Sequence, residues 1–167
     1  MFTGIKSKLN DMGTIKFLCE RAETYALQDQ QRGPGAEHFL LASFDLPDGT
    51  ARLAFDRAGV EPEALKAAIE RQYGEALRSI GLKADAPSDT PMSAAPGTYH
   101  AAPSGQEIMQ ELAATRKDHG PLLGAHVVGI VASMSHGVAA RALRALGVDS
   151  SLLKSTADAI AEAGHVR

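Results

Sequence analysis

An internal repeat constrains this chain more than any other feature. Displacing the sequence against itself by 88 residues, without gaps, brings eight identical pairs into register between His38 and Lys66. They are His38 with His126, Gly49 with Gly137, Ala51 with Ala139, Ala54 with Ala142, Gly59 with Gly147, Val60 with Val148, Leu65 with Leu153 and Lys66 with Lys154. The glycines fall at element boundaries, which points to a duplicated structural unit rather than to shared composition.

Each copy reads as four helices, eight in all, so the expected fold class is all-α. In the first copy Ile15, Leu18, Cys19, Ala22 and Ala26 follow helical spacing and form one apolar face. The polar run Gln28 to Gly35 ends in Gly-Pro-Gly and reads as a loop. A short apolar helix is expected from Ala36 to Phe44, a turn at Leu46–Gly49, and a third helix from Thr50 to Ala58. Gly59-Val60 fits a left-handed helix stop, and Glu61-Pro62 fits the start of a fourth helix. Leu65, Ala68, Ile69, Tyr73, Ala76, Leu77 and Ile80 line that helix.

The second copy is expected to open at Ser104, where Ser104-Gly105-Gln106-Glu107 matches a capping box. Gly120-Pro121 echoes Gly33-Pro34, and Gly147-Val148-Asp149 repeats the helix stop, with Asp149 placed to cap the last helix. Between the copies lie four prolines, Pro87, Pro91, Pro96 and Pro103, among Ala, Ser, Asp and Gly. Such a stretch buries little and reads as a linker. The expected organisation is a first repeat over 1–82, a Pro/Ala/Ser-rich linker over 83–103 and a second repeat over 104–163, both repeats sharing one compact domain.

Composition agrees. Aromatic residues make up 5% of the chain and Trp is absent, so the core must come from Leu, Ile, Val, Met and Ala, which suits helices better than sheets. A net charge of −3 provides no general attraction for nucleic acid or anionic lipid. One cysteine excludes an internal disulfide and a multi-cysteine zinc site. Met1-Phe2-Thr3-Gly4 lacks a secretory apolar run, and the longest apolar stretch, 13 residues from Leu122 to Met134, is too short to span a bilayer. The expectation is a soluble cytoplasmic protein with no cofactor, no metal, and neither nucleic acid nor membrane as partner.

Few residues suggest chemistry. Cys19 lies on an apolar helix face and reads as a small core residue. His38 and His126 are repeat equivalents and read as buried hydrogen-bonding histidines, since no carboxylate or cysteine cluster accompanies them as metal ligands. No G-x-S-x-G elbow and no G-x-x-x-x-G-K-[S/T] loop occurs. Arg52, Arg57, Arg141 and Arg144 fall on the third helices and read as a solvated face or a basic patch. Nothing here assembles a nucleophile, a base and an orienting group, so an enzyme is not expected.

The motifs resemble a known family. Gly35-Ala36-Glu37-His38-Phe39-Leu40-Leu41, followed by Gly49-Thr50-Ala51-Arg52 and Gly59-Val60, is similar to the Clp repeat of the N-terminal domain of Clp-family ATPases. Gly137-Val138-Ala139-Ala140-Arg141-Ala142-Leu143 and Leu146-Gly147-Val148-Asp149 match the later half of that repeat, and the resemblance runs from about Phe2 to Ile160. It implies a pseudo-twofold bundle of eight helices, here standing alone without the ATPase modules. In that family the domain receives protein clients or adaptors for unfolding and proteolysis. In ClpC-type members it also binds phosphoarginine, a degradation tag, and some members bind cyclic peptides.

The resemblance carries site residues with it. Glu37 stands where the family's glutamate contacts the tag's guanidinium. Ala36 replaces the family's threonine beside it, and Ala125 replaces the glutamate in the second repeat. Thr14 lies about two residues from the place of the family's N-terminal threonine, Ser104 offers a hydroxyl at the corresponding start of the second repeat, and Phe2 matches the family's early phenylalanine. The candidate ligand-binding residues are therefore Glu37, Ala36, Thr14, Phe2 and Ser104. The expected function is a chaperone-associated, protein-binding module that serves a Clp protease as adaptor or decoy. The alternative is an assembly partner of Clp ATPase subunits with no ligand pocket.

Overall fold

The computed structural model describes residues 2–81, 99–115 and 121–164. Among these, every regular element is a helix: α1 (Phe2–Gln28), α2 (Ala36–Phe44), α3 (Thr50–Arg57), α4 (Pro62–Ser79), α5 (Pro103–Thr115), α6 (Gly124–Ala132), α7 (Val138–Ala145) and α8 (Ser150–Gly164). From the second helix of each copy onward the repeat holds to the residue. The starts of α2, α3 and α4 each lie 88 positions before those of α6, α7 and α8.

Local chemistry explains the boundaries. Gly59 and Gly147 adopt φ of 73° and 71°, a left-handed conformation in which a Cβ would clash with the backbone. The stop at α3 is a full Schellman motif: Val60 N–H donates to the Phe55 carbonyl at 2.9 Å and Gly59 N–H to Asp56 at 3.0 Å. Val148 and Gly147 repeat both bonds onto Leu143 and Arg144. Pro62 opens α4, where its missing N–H costs nothing. Asp149 caps α8 by accepting the N–H groups of Ser151 and Leu152.

The second repeat begins one residue earlier than the sequence pattern suggests. Pro103 takes the first helical position of α5, and Gln106 N–H bonds to the Ala102 carbonyl. The Ser104–Glu107 capping box does not form as expected, because the Ser104 hydroxyl is used elsewhere, on the first repeat. Ala102 N–H bonds to the Pro34 carbonyl, so the chain entering α5 lies along the Gly33-Pro34 loop. The contact is tight: a Cβ on Gly105 would sit 2.2 Å from the Pro34 carbonyl oxygen. Of the expected linker over 83–103, residues 83–98 lie outside the described residues.

The two copies interlock. Every residue of α2 is buried, and α6 packs directly against it. α3 of the first repeat packs on α8 of the second, and α4 on α7, an exchange related by the pseudo-twofold axis. Phe39, Leu40, Leu18, Leu65 and Ile69 from one copy and Val127, Val128, Leu112, Leu143 and Leu153 from the other form one continuous apolar cluster. Phe44 and Phe55 meet edge to face at 4.8 Å between centroids.

Two glycine substitutions separate backbone strain from steric exclusion. Gly59→Ala, with open space around the position, is expected to cost about 1 kcal/mol through its positive φ alone. Gly105→Ala forces the start of α5 off the Pro34 carbonyl and is expected to cost more. Urea unfolding of both variants measures the order, and a milder effect at Gly105 contradicts the close approach.

Candidate functional site

The N-terminus of α2 gathers most of the polar groups buried in the first repeat. A helix start leaves N–H groups without intrahelical partners, and here the start is buried, so each needs a partner from elsewhere. Ala36 N–H donates to the Ser104 hydroxyl of α5 at 3.0 Å. Gly35 N–H donates to Nδ1 of His38 at 3.0 Å. That bond fixes the imidazole: Nδ1 is an acceptor, so Nε2 carries the proton and donates to Asp29 Oδ2 at 2.9 Å. Glu37 Oε1 lies 3.6 Å from Nδ1, a contact between two acceptors rather than a bond.

Glu37 is buried, with 4% of its surface exposed. The hydroxyl of Tyr73, on α4, donates to its carboxylate. Burial, reinforced by the Glu37 charge, pushes the Tyr73 phenol well above the usual range, and the Asp29 charge acts in the same direction. The His38 and Tyr73 rings stack at 6.1 Å between centroids, which closes a network of Asp29, His38, Glu37 and Tyr73 between α1, α2 and α4. The carboxylate also sits at the positive end of α2.

The second repeat keeps the frame of this arrangement but draws its carboxylates from the first repeat. Leu123 N–H donates to Nδ1 of His126 at 2.9 Å, as Gly35 does to His38. Gly124 and Ala125 N–H donate to Asp48 Oδ2 at 3.2 Å and to Thr50 Oγ1 at 2.8 Å, so side chains of the first repeat cap α6. Leu122 N–H is held by Asp11 of α1 at 2.9 Å. The repeat counterparts of Asp29, Glu37 and Tyr73 in the sequence are Lys117, Ala125 and Ala161.

Of the candidate residues, the structure brings Ala36, Glu37 and Ser104 together at the start of α2. Thr14 spends its hydroxyl on the Asn10 carbonyl of its own helix. The side chain of Phe2 lies outside the described residues. Sequence reasoning missed Asp29 and Tyr73 as members of the network: one sat in a polar loop, the other on an apolar helix face. Their joint replacement in the second repeat, together with that of Glu37, was the available signal.

The other candidates resolve simply. Cys19 is half-buried, its thiol 3.9 Å from the Met109 sulfur, and burial raises its pKa, so little thiolate forms. Arg52 bonds to the Phe44 carbonyl and Arg144 to the Ser135 carbonyl, both within their own repeat, while Arg141 bonds to Gln72 across the two repeats. Among the described residues no three His, Cys, Asp or Glu side chains are placed to hold a metal ion together, and no helix is long and apolar enough to cross a membrane.

The described helices form an all-helical, two-repeat bundle. The chain is similar in structure to the N-terminal domain of the caseinolytic protease associated chaperone ClpD from Arabidopsis thaliana, with a TM-score of 0.52 over 90% of both chains and 18% sequence identity. At that identity the likeness establishes a Clp N-domain fold. No family model matches the sequence, and no curated protein matches it.

Two measurements probe the network. Ser104→Ala leaves the Ala36 N–H without its partner and is expected to cost about 1–2 kcal/mol in urea unfolding. Because folding holds the Tyr73 phenol protonated, its contribution is present below the ordinary phenol range near pH 10 and is lost as pH rises beyond it. Stability measured from pH 8 to 11 is expected to fall less steeply in Tyr73→Phe than in the parent; equal slopes contradict the buried phenol–carboxylate contact.

Proposed function

We propose that this chain is a protein-binding module of the Clp N-domain type, recognising protein clients or degradation tags as an adaptor or decoy for a Clp protease. The observation that carries this reading is a buried carboxylate, Glu37, at a helix start inside a fold shared with a Clp chaperone N-domain. A carboxylate pairs with a guanidinium through two parallel charge-assisted bonds. The positive end of α2 suits an attached phosphoryl group. Phosphoarginine joins the two, and a cyclic peptide bearing a cationic side chain is a related ligand. Entry requires the Tyr73 hydroxyl to release Glu37, one donor replacing another.

Binding rather than turnover is the reading the network favours. Both imidazole nitrogens of His38 are engaged, so it has no free base to offer. An assembly role with Clp ATPase subunits is the second reading. It is favoured by Ile5, Leu9 and Met12, which are 63%, 64% and 60% exposed along one stripe of α1.

Titration calorimetry with an arginine-phosphorylated protein is the test. Binding to the parent, its loss in Glu37→Ala and the absence of phosphate release are expected. Unchanged affinity in Glu37→Ala removes the site. A pull-down that retains a Clp ATPase but no tagged protein favours the assembly role.

A further inference from the structure

The pseudo-twofold axis relates two clefts of very different size. In the first repeat, Leu41, Lys66, Ile69 and Glu70 line a cavity of about 60 Å³. Their counterparts 88 positions on are Gly129, Lys154, Ala157 and Asp158. Leu41 has become Gly129 and Ile69 has become Ala157, while the charged pair is kept. At that place the second repeat holds a cleft of about 450 Å³, bounded by α5, α6 and α8. The same frame thus carries an open slot at Gly129, where the first repeat has the Leu41 side chain.

Its lining has a definite chemistry. Glu107 and Glu111, one helical turn apart on α5, are exposed on one wall. Asp158 of α8 is on another and pairs with Lys154 at 2.6 Å. Among the described residues of the lining, three carboxylates face one ammonium and the His126 imidazole. The pair is about half exposed, so it opposes a competing cation only weakly. Below them Gly129 is buried, and Ile130 and Met134 are partly buried apolar neighbours. An acidic rim over an apolar floor matches a side chain with a methylene stem and a cationic head.

We propose that this cleft of the second repeat binds a basic peptide segment, seating an arginine or lysine side chain with its stem over Gly129 and its head among Glu107, Glu111 and Asp158. The occupant is fixed by charge complementarity, and the depth by glycine at 129 in place of a Leu41 equivalent. This site is separate from the α2 start: its chemistry needs neither Glu37 nor a phosphoryl group.

The probe is a short fluorescent peptide of alternating arginine and glycine, titrated at low salt by anisotropy, with a citrulline-for-arginine peptide as the neutral isostere. Saturable binding of the arginine peptide and at least tenfold weaker binding of the citrulline peptide are expected. Glu107→Gln combined with Glu111→Gln is expected to weaken binding about tenfold. Gly129→Leu restores the residue of the first repeat and fills the slot. A Cβ there meets the Asp158 carboxylate at 2.9 Å, a half-exposed side-chain end that can swing aside. It is expected to abolish binding with circular dichroism unchanged. If that variant unfolds, the exposed Glu107/Glu111 pair decides alone. Equal affinity in the double glutamine variant, which leaves the peptide to the α2 start, or equal affinity for the citrulline peptide each overturns the proposal.

Discussion

The structure depends on satisfying two helix starts buried between the repeats. α2 and α6 pack together at the centre, and neither can hydrate its first N–H groups there. Each repeat supplies the other's partners: Ser104 reaches Ala36 of α2, while Asp48 and Thr50 reach Gly124 and Ala125 of α6. Leaving such a group unpaired costs about 1–3 kcal/mol, comparable to losing a large buried side-chain contact. The duplicated unit is therefore incomplete by itself. The exchanged packing of α3 on α8 and α4 on α7 completes the same bargain with apolar surface.

The pseudo-symmetry then makes the two halves informative about each other. Backbone devices survive in both: the Schellman stops at Gly59 and Gly147, and the histidine that closes the helix start at positions 38 and 126. Side-chain chemistry does not. The first repeat holds a buried carboxylate network and a filled cavity. The second has a helix start capped by side chains of the first repeat and an open acidic cleft. Where a fold is duplicated, the frame stays because both copies need it to fold, and divergence collects in the groups that folding does not require. Glu37 and Gly129 are the clearest examples.

Much of the fold was legible before any coordinates. α2 runs from Ala36 to Phe44 as the apolar run and the Gly-Pro-Gly before it implied, and α3 stops at Arg57 with Ala58 as its cap. Periodicity and glycine placement are local signals, so they survive translation into helices directly. The site was legible only in part. Glu37 was found through its motif. Tyr73 was not, because a tyrosine at an apolar helix position carries no mark of what its hydroxyl will meet. Ser104 was assigned to its own helix because its capping chemistry is sound there; proximity of α2 redirected it.

What the sequence by itself determined is the doubled all-helical frame, since a repeat with glycines at fixed offsets leaves few alternatives for where helices stop. What only the tertiary structure decided is how the copies face each other: which helix start each hydroxyl caps, that Glu37 is held by Tyr73 rather than by solvent, and that Gly129 in place of a Leu41 equivalent lines an open cleft. The physical reason is range. Helix propensity, capping and periodicity act over a few residues of chain. Burial, hydrogen-bond competition and cavity volume depend on groups that the sequence separates widely and the fold brings within about 3 Å.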